Sequence, residues 1–297
     1  MKNNICYLCI FFLALLALSC EKQQEKTPDT LNLSGFKSGN TSELVNVRLK
    51  SGKITSSPVE CYLLGSTLFD PTTGGYGYVD CHGKFYLIDP LTGDTLKAIA
   101  VPEFLSQAVI DTVENMLIGK CYEAGSNYVY KINLETGEIA ARNEVDLGTG
   151  TLACTFFYKT PEKEYILMRA DSTLVFINPD TGVIVDSAKA FAAPANGYYD
   201  AANDRLIGVT YDVVTDRNYL VTLDATTGEL VYQVQIQERN DYFACMSGYD
   251  AETSCYILLN PDNVVLFIDI ETGETKDSYD IGFRVEEFKF WRERDSE

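Results

Sequence analysis

The residues best suited to chemistry are four carboxylates and one histidine, all in predicted loops. Glu60, Glu103, Asp171 and Asp241 could work in pairs as general acid and base, but nothing in their spacing brings two of them together. His82 is the single histidine of the chain, and a lone imidazole cannot build a multi-histidine metal site. The chain also carries no nucleophile-elbow, zincin, EF-hand or phosphate-loop motif. We therefore predict no catalytic residue and no metal.

Amides and tyrosines accompany these residues in the same predicted loops. Such a mixture of acids, amides and phenol rings suits a sugar or peptide ligand, although ordinary polar loops have the same composition. The predicted ligand-binding residues are Glu60, His82, Glu103, Tyr122, Asp171, Asn196, Tyr211, Asp241 and Tyr242.

The elements that position these loops follow from a hairpin signal that occurs five times. It reads DPLTG, NLETG, NPDTG, DATTG and DIETG, and its glycines are 44, 45, 46 and 45 residues apart. The first Asp or Asn can cap backbone amides two residues on, and the closing Gly suits a positive φ. An alternating apolar strand precedes each signal and a more polar strand follows it, which predicts an inner strand paired with a solvated outer strand. A period of about 45 residues is typical of a repeat architecture.

A second turn lies upstream of each hairpin and begins at a polar residue. These residues are Asp70, Asp111, Lys159, Asp200 and Asp250. Each repeat is then four antiparallel strands, A to D, which is one blade of a β-propeller. In this fold the D–A and B–C connections share one end of the blades, and all the predicted ligand-binding residues are expected there.

Strand A shows two columns of fixed size, which supports a position next to the propeller axis. Five residues before the turn the side chains are small: Gly65, Ser106, Cys154, Ala195 and Cys245. One residue before it they are large: Phe69, Ile110, Tyr158, Tyr199 and Tyr249. Of the six cysteines after residue 20, none matches a zinc or CxxC spacing, so we expect buried free thiols rather than a disulfide framework.

The two ends of the chain supply a sixth blade. Leu44–Thr55 contains a degenerate C–turn–D hairpin with Ser51-Gly52 in the turn, and Phe283–Trp291 is predicted to be its strand A. A composite blade would close the ring without exposed edges. We predict an all-β propeller of six four-stranded blades over residues 43–297, with rings of five or seven blades as alternatives.

The start of the chain is predicted to be an export signal. Met1–Cys20 begins with one lysine, continues with an apolar run and ends in Leu-Ser-Cys. The apolar run is shorter than a membrane-spanning helix needs. This ending resembles the lipobox of bacterial lipoproteins, and the resemblance implies that Cys20 is lipidated. An ordinary cleaved signal with a chance cysteine is the alternative. Residues 21–42 are polar and rich in turn formers, so we predict a flexible tether between membrane and propeller.

The hairpins at Tyr86–Leu96 and Val175–Ile184 resemble YVTN-type repeats and the quinoprotein-like propellers, as found in exported lipoproteins of the Bacteroidetes type. Quinoprotein repeats carry a docking tryptophan four residues after the turn glycine. Here those positions are Lys97, Ala141, Asp186, Tyr232 and Asp277, so we expect no cofactor.

The acidic composition limits the classes of partner that the protein can bind by charge. The net charge of −19 disfavours nucleic acid and anionic membranes, so the membrane contact is expected through the lipid anchor alone. We predict a non-catalytic binding or scaffold module in the cell envelope, on the periplasmic side of the outer membrane or at the cell surface. Its partner would be an envelope protein complex or an extracellular glycan or peptide. A carbohydrate- or lactone-active enzyme with carboxylates at the channel mouth is the alternative.

Overall fold

The computed structural model describes residues 30–59, 63–80, 82–148, 152–236 and 247–293. Within these ranges 24 strands form six four-stranded antiparallel sheets, and no helix is present. The inner strands of the sheets contact one another in a closed cycle. The chain is therefore a six-bladed β-propeller, as predicted, and the alternatives of five or seven blades are wrong.

In five blades the strands run in chain order from inner strand A to outer strand D. Blade 2 contains β4 (Leu63–Asp70), β5 (Gly75–Asp80), β6 (Lys84–Ile88) and β7 (Thr95–Ala100). Blade 3 contains β8 (Ser106–Asp111), β9 (Met116–Glu123), β10 (Ser126–Asn133) and β11 (Ile139–Val145). Blade 4 contains β12 (Leu152–Lys159), β13 (Glu164–Arg169), β14 (Thr173–Ile177) and β15 (Ile184–Lys189).

The remaining blades complete the ring. Blade 5 contains β16 (Ala195–Asp200), β17 (Arg205–Asp212), β18 (Arg217–Asp224) and β19 (Leu230–Ile236). Blade 6 contains β20 (Ser247–Asp250), β21 (Cys255–Leu259), β22 (Val264–Asp269) and β23 (Thr275–Asp280). Blade 1 is the composite blade, with β24 (Val285–Arg292) as strand A followed by β1 (Leu31–Lys37), β2 (Asn40–Arg48) and β3 (Lys53–Pro58).

The predicted tether ends too late, because Leu31–Lys37 is strand B of blade 1 and the propeller starts there rather than at residue 43. The reason is a buried polar network that makes this strand resemble a solvated segment. Ser34 Oγ donates to Asn46 Oδ1 at 2.7 Å, and Asn46 Nδ2 donates to Asn32 Oδ1 at 3.0 Å. Trp291 Nε1 donates to Ser34 Oγ at 2.7 Å. Residues 1–29, including the predicted signal and Cys20, lie outside the described residues.

The five predicted hairpins have the expected chemistry. In the first, the amides of Leu91 and Thr92 donate to Asp89 Oδ1 at 2.8 and 3.4 Å, and Gly93 closes the turn with a φ of 80°. The same contacts recur at Asn133, Asn178, Asp224 and Asp269. The outer strands that follow are mostly exposed, which confirms the predicted contrast between strands C and D.

The hydrophobic core is divided among the interfaces between blades. In the part of the chain that the structure describes, six clusters of buried side chains each join two neighbouring blades, and two of them flank the composite blade. One joins β1 and β2 to blade 6 through residues such as Leu33 and Ile257, and the other joins them to blade 2 through Phe36 and Tyr76. Closing the ring is thus what buries the last two clusters, and apolar burial is the main favourable term in folding.

The cysteines are only partly as expected. Cys121 and Cys255 are buried free thiols, and burial raises the pKa of Cys121 to about 12. Cys154 is instead exposed, because it lies on inner strand β12 within the irregular register between Leu152 and Phe156. Cys61, Cys81 and Cys245 lie outside the described residues.

Candidate functional site

The B–C turns and the D–A connections emerge at the same end of each antiparallel blade, here called the B–C end. Three of the predicted residues lie there on adjoining elements: His82 in the B–C turn of blade 2, Glu103 in the connection between blades 2 and 3, and Tyr122 near the end of β9. A Cβ added to Gly83 would lie 3.4 Å from Cγ of Glu103, so the turn that carries His82 contacts Glu103. Cys121 Sγ donates to the carbonyl of Glu103 at 3.5 Å, so the end of β9, which also carries Tyr122, contacts the same connection. The Tyr122 side chain itself leaves the opposite face of β9 from Cys121.

This group, which we call the blade 2–3 surface, consists of His82, Glu103, Phe104 and Tyr122. All four side chains are exposed, and the two rings are unusually so, at 57% for Phe104 and 66% for Tyr122. Phe104 also has a φ of 61°, in the left-handed region that bulky residues rarely adopt. An exposed aromatic residue held in a strained backbone conformation points to a role outside folding.

The hairpin that presents Tyr122 is held by an ion pair and a phenol. Arg142 Nη2 donates to Glu123 Oε2 at 2.8 Å, and Arg142 Nε donates to the Tyr130 hydroxyl at 2.7 Å. That hydroxyl donates in turn to Glu123 Oε1 at 2.5 Å. The guanidinium group lies 3.8 Å from the centre of the Tyr128 ring. This network fixes the end of β9 and hence the position of the neighbouring tyrosine.

The pKa shifts in this network follow from its contacts. Burial, and then the Glu123 carboxylate, raise the pKa of Tyr130 to about 12. The hydrogen bond from Tyr130, together with Arg142, lowers the pKa of Glu123. At neutral pH the Glu123–Arg142 ion pair therefore stays ionised, and the hydroxyl of Tyr130 stays a hydrogen-bond donor.

The other predicted site residues are spread around the ring. Tyr211 is on blade 5, where its hydroxyl donates to Asp216 Oδ1 at 2.6 Å. Asp171 is on blade 4, where a hydrogen bond with Thr173 and the charge of Arg169 lower its pKa. Asn196 belongs to β16. Glu60, Asp241 and Tyr242 lie outside the described residues.

The sequence analysis missed a group of polar side chains on the inner strands that form hydrogen bonds to the backbone of the next blade. We call this group the collar. Ser66 Oγ accepts from the amide of Ala108 at 2.9 Å, and Gln107 Nε2 donates to the carbonyl of Ala153 at 3.0 Å. Thr155 Oγ1 donates to the carbonyl of Pro194 at 2.7 Å and accepts from the amide of Gly197 at 2.9 Å. Each contact spans two neighbouring blades.

A signal for this collar was present in the sequence. Ser66, Gln107, Thr155 and Asn196 all lie four residues before the A–B turn, one place after the column of small residues. A column of polar residues on an otherwise buried inner strand indicates side chains that satisfy the neighbouring backbone.

Among the described residues, no group of three or more histidine, cysteine or acidic side chains is placed to hold a metal ion. In the same part of the chain, no helix has the length and apolar character to cross a membrane.

Comparison with known proteins agrees with the fold and extends no further. No protein-family model matches the chain, and no curated protein does. Among solved structures, the β-propeller domain of Cps50 (Swd1) from Myceliophteria thermophila is similar with a TM-score of 0.53 and 11% identity over 80% of each chain. At this identity the likeness shows the fold alone. The comparison supports the β-propeller fold, and the six sheets of the structure define the class as a six-bladed β-propeller.

Proposed function

We propose that this protein is an exported lipoprotein whose propeller is a non-catalytic binding or scaffold module in the cell envelope. The export signal and the lipid on Cys20 rest on the sequence of Met1–Cys20. The anchor holds the domain at the membrane through acyl chains, in line with the acidic composition. Binding then takes place at the B–C end.

The observation that carries the binding role is the exposure of Phe104, in the connection between blades 2 and 3, and of Tyr122, near the end of strand β9 that contacts this connection. Scattered exposed apolar side chains are common, but two exposed aromatic residues at the same end of adjoining elements favour a binding site. His82 and Glu103 add a hydrogen-bonding rim around these rings. We infer that the partner is an envelope protein that packs apolar side chains on the two exposed rings.

The test uses the lipidated full-length protein in its own cells, with chemical cross-linking followed by affinity capture. Phe104→Asn combined with Tyr122→Ser should lose the captured partner, whereas Tyr232→Ser, a matched change of a tyrosine that is 41% exposed on outer strand β19, should keep it. Because asparagine tolerates the left-handed backbone, the double variant should fold as stably as the parent protein.

Three outcomes separate the parts of this proposal. Cys20→Ser should abolish incorporation of an alkyne-bearing fatty acid, and its retention would rule out this anchor. Capture that is equal in the Phe104/Tyr122 variant and the Tyr232 variant would rule out the blade 2–3 surface. Binding to a glycan array with no protein captured would replace the protein partner by a carbohydrate.

A further inference from the structure

A separate cleft lies between blades 3 and 4, away from the blade 2–3 surface. It is lined by Asp146 and Leu147 after β11, by Arg169 at the end of β13, and by Thr173, Val175 and Ile184 on β14 and β15. Its volume is about 250 Å³. This is below the roughly 300–1,000 Å³ of sites for drug-sized ligands, so the cleft fits a small molecule or a single terminal residue.

Arg169 is the unusual group in this cleft. Its Nε is buried and has no hydrogen-bond partner among the described residues. Its Nη2 lies 3.5 Å from Asp171 Oδ2, which is an ion-pair distance but longer than a normal hydrogen bond. A buried charged donor without an acceptor is costly, and the guanidinium fork matches the two oxygens of a carboxylate. Although 29% of the Arg169 side chain is exposed, its Nε would gain an acceptor from a carboxylate that enters the cleft.

The rest of the lining restricts what that group is attached to. Leu147 and Val175 are buried and form an apolar floor, and the exposed Ile184 extends the apolar lining towards the solvent. Asp146 stands exposed on the wall, with Oδ1 accepting from the amide of Gly148 at 2.9 Å. A carboxylate on Arg169, an aliphatic group on the floor and an ammonium or amide group near Asp146 would satisfy all three features.

We propose that the Arg169 cleft binds a carboxylate attached to a compact aliphatic group, as in a free apolar α-amino acid or the C-terminal residue of a peptide. This ligand chemistry depends on Arg169, Asp146 and the apolar floor alone. It is independent of the proposed function, because no residue of the blade 2–3 surface lines the cleft.

The test is isothermal titration calorimetry of the whole protein with L-leucine, N-acetyl-L-leucine and L-leucinamide. Leucine or its acetyl derivative should bind saturably, and leucinamide, which lacks the carboxylate, should bind at least about tenfold more weakly. Arg169→Met should lose binding and Arg169→Lys should weaken it, because an ammonium group cannot form the two parallel hydrogen bonds.

Arg217→Met is the matched control, since Arg217 is exposed on blade 5 with its Nη1 on Gln235 Oε1 at 2.9 Å, and binding should be unchanged. The two sources of the ligand are separated by Asp146→Asn. A free amino acid is the ligand if leucine binds better than acetyl-leucine and this preference disappears in Asp146→Asn. A peptide C-terminus is the ligand if both probes bind equally.

Three results would overturn the proposal. They are no saturable heat from any of the three probes at about 10 mM, leucinamide binding as tightly as the better of the two carboxylate probes, or unchanged binding in a folded Arg169→Met protein. The comparison of leucine with leucinamide needs no variant, so it decides the matter even if Arg169→Met does not fold.

Discussion

Lys131 is almost completely buried in blade 3, yet its ammonium group contacts two carboxylates. It donates to Glu114 Oε2 at 2.6 Å in its own blade and to Asp180 Oδ1 at 2.7 Å in blade 4. Glu114 also pairs with Lys163 of blade 4, which is exposed. One buried cation therefore joins two blades, and the hydrogen bonds from Lys131 and then Lys163 lower the pKa of Glu114 from 4.5 to about 2.

The depressed pKa of Glu114 gives a pH dependence with a defined sign. A carboxylate whose pKa is lowered by folding stabilises the protein above its unfolded pKa, and this contribution is lost as pH falls from 4.5 to about 2. Lys131→Met should cost about 1–2 kcal/mol at neutral pH, less than a fully buried pair because both carboxylates reach water. Below pH 4.5 the free energy of unfolding of Lys131→Met, measured by urea titration, should also fall less steeply with pH than that of the parent protein.

Lys163→Met is the matched control for this prediction, because it removes an exposed lysine from the same carboxylate. Its cost at neutral pH should be clearly smaller than that of Lys131→Met, because an exposed ion pair contributes little to stability. Equal costs for the two lysines would show that burial of Lys131 contributes nothing to the joint between the blades.

At the scale of single elements, the C–D hairpins could be predicted because their signal is local. The capping Asp89 and the closing Gly93 belong to one turn, so five residues specify it wherever it occurs. Strand β1 could not be found in this way, since its buried Asn32 and Ser34 are satisfied by residues far along the chain. The contacts within the blade 2–3 surface were beyond reach for the same reason, although His82, Glu103 and Tyr122 were each predicted singly.

The closing glycine of each hairpin also lies against the preceding blade, which the turn sequence alone does not show. Gly228 has a φ of 73°, and a Cβ there would lie 2.5 Å from the Cα of Ala190 in the connection that follows blade 4. Since Ala190 is held by its own backbone hydrogen bond to Ser172, it has little room to move. The hairpin turn of one blade thus packs directly on the chain of the preceding blade.

Gly228→Ala should therefore cost more than the backbone strain of a positive φ. We expect a loss of about 3 kcal/mol or more in the free energy of unfolding, from strain of about 1–2 kcal/mol plus the clash. Gly52→Ala is the control, because Gly52 has a φ of 65° with no atom within 4 Å of a Cβ, and it should show the strain alone. Equal losses in urea unfolding would exclude the close contact at Gly228.

At the scale of the whole molecule, the composite blade is tied to both of its neighbours. Arg292 donates to both carboxylate oxygens of Asp250 in blade 6, at 2.9 and 2.5 Å. Trp291 stacks on Phe69 of blade 2, with ring centres 5.4 Å apart. Adjacent residues of β24 thus attach the composite blade to blade 6 by an ion pair and to blade 2 by an aromatic stack.

Both proposed ligand surfaces depend on this closure, because each lies between blades whose spacing the ring fixes. The 45-residue period predicted the five regular blades, and the sequences near the two chain ends predicted three of the four strands of the composite blade. Strand B of that blade came from the segment expected to be a tether, so the propeller uses more of the chain than its repeats show.

Hydrogen–deuterium exchange followed by mass spectrometry tests the closure of the ring most directly. The amides of Leu31–Lys37 and Val285–Arg292 should exchange together, as slowly as strands B and C of the other blades, because the two segments pair with each other. Fast exchange of Leu31–Lys37 in the intact protein, beside slow exchange in blades 2 to 6, would contradict the composite blade.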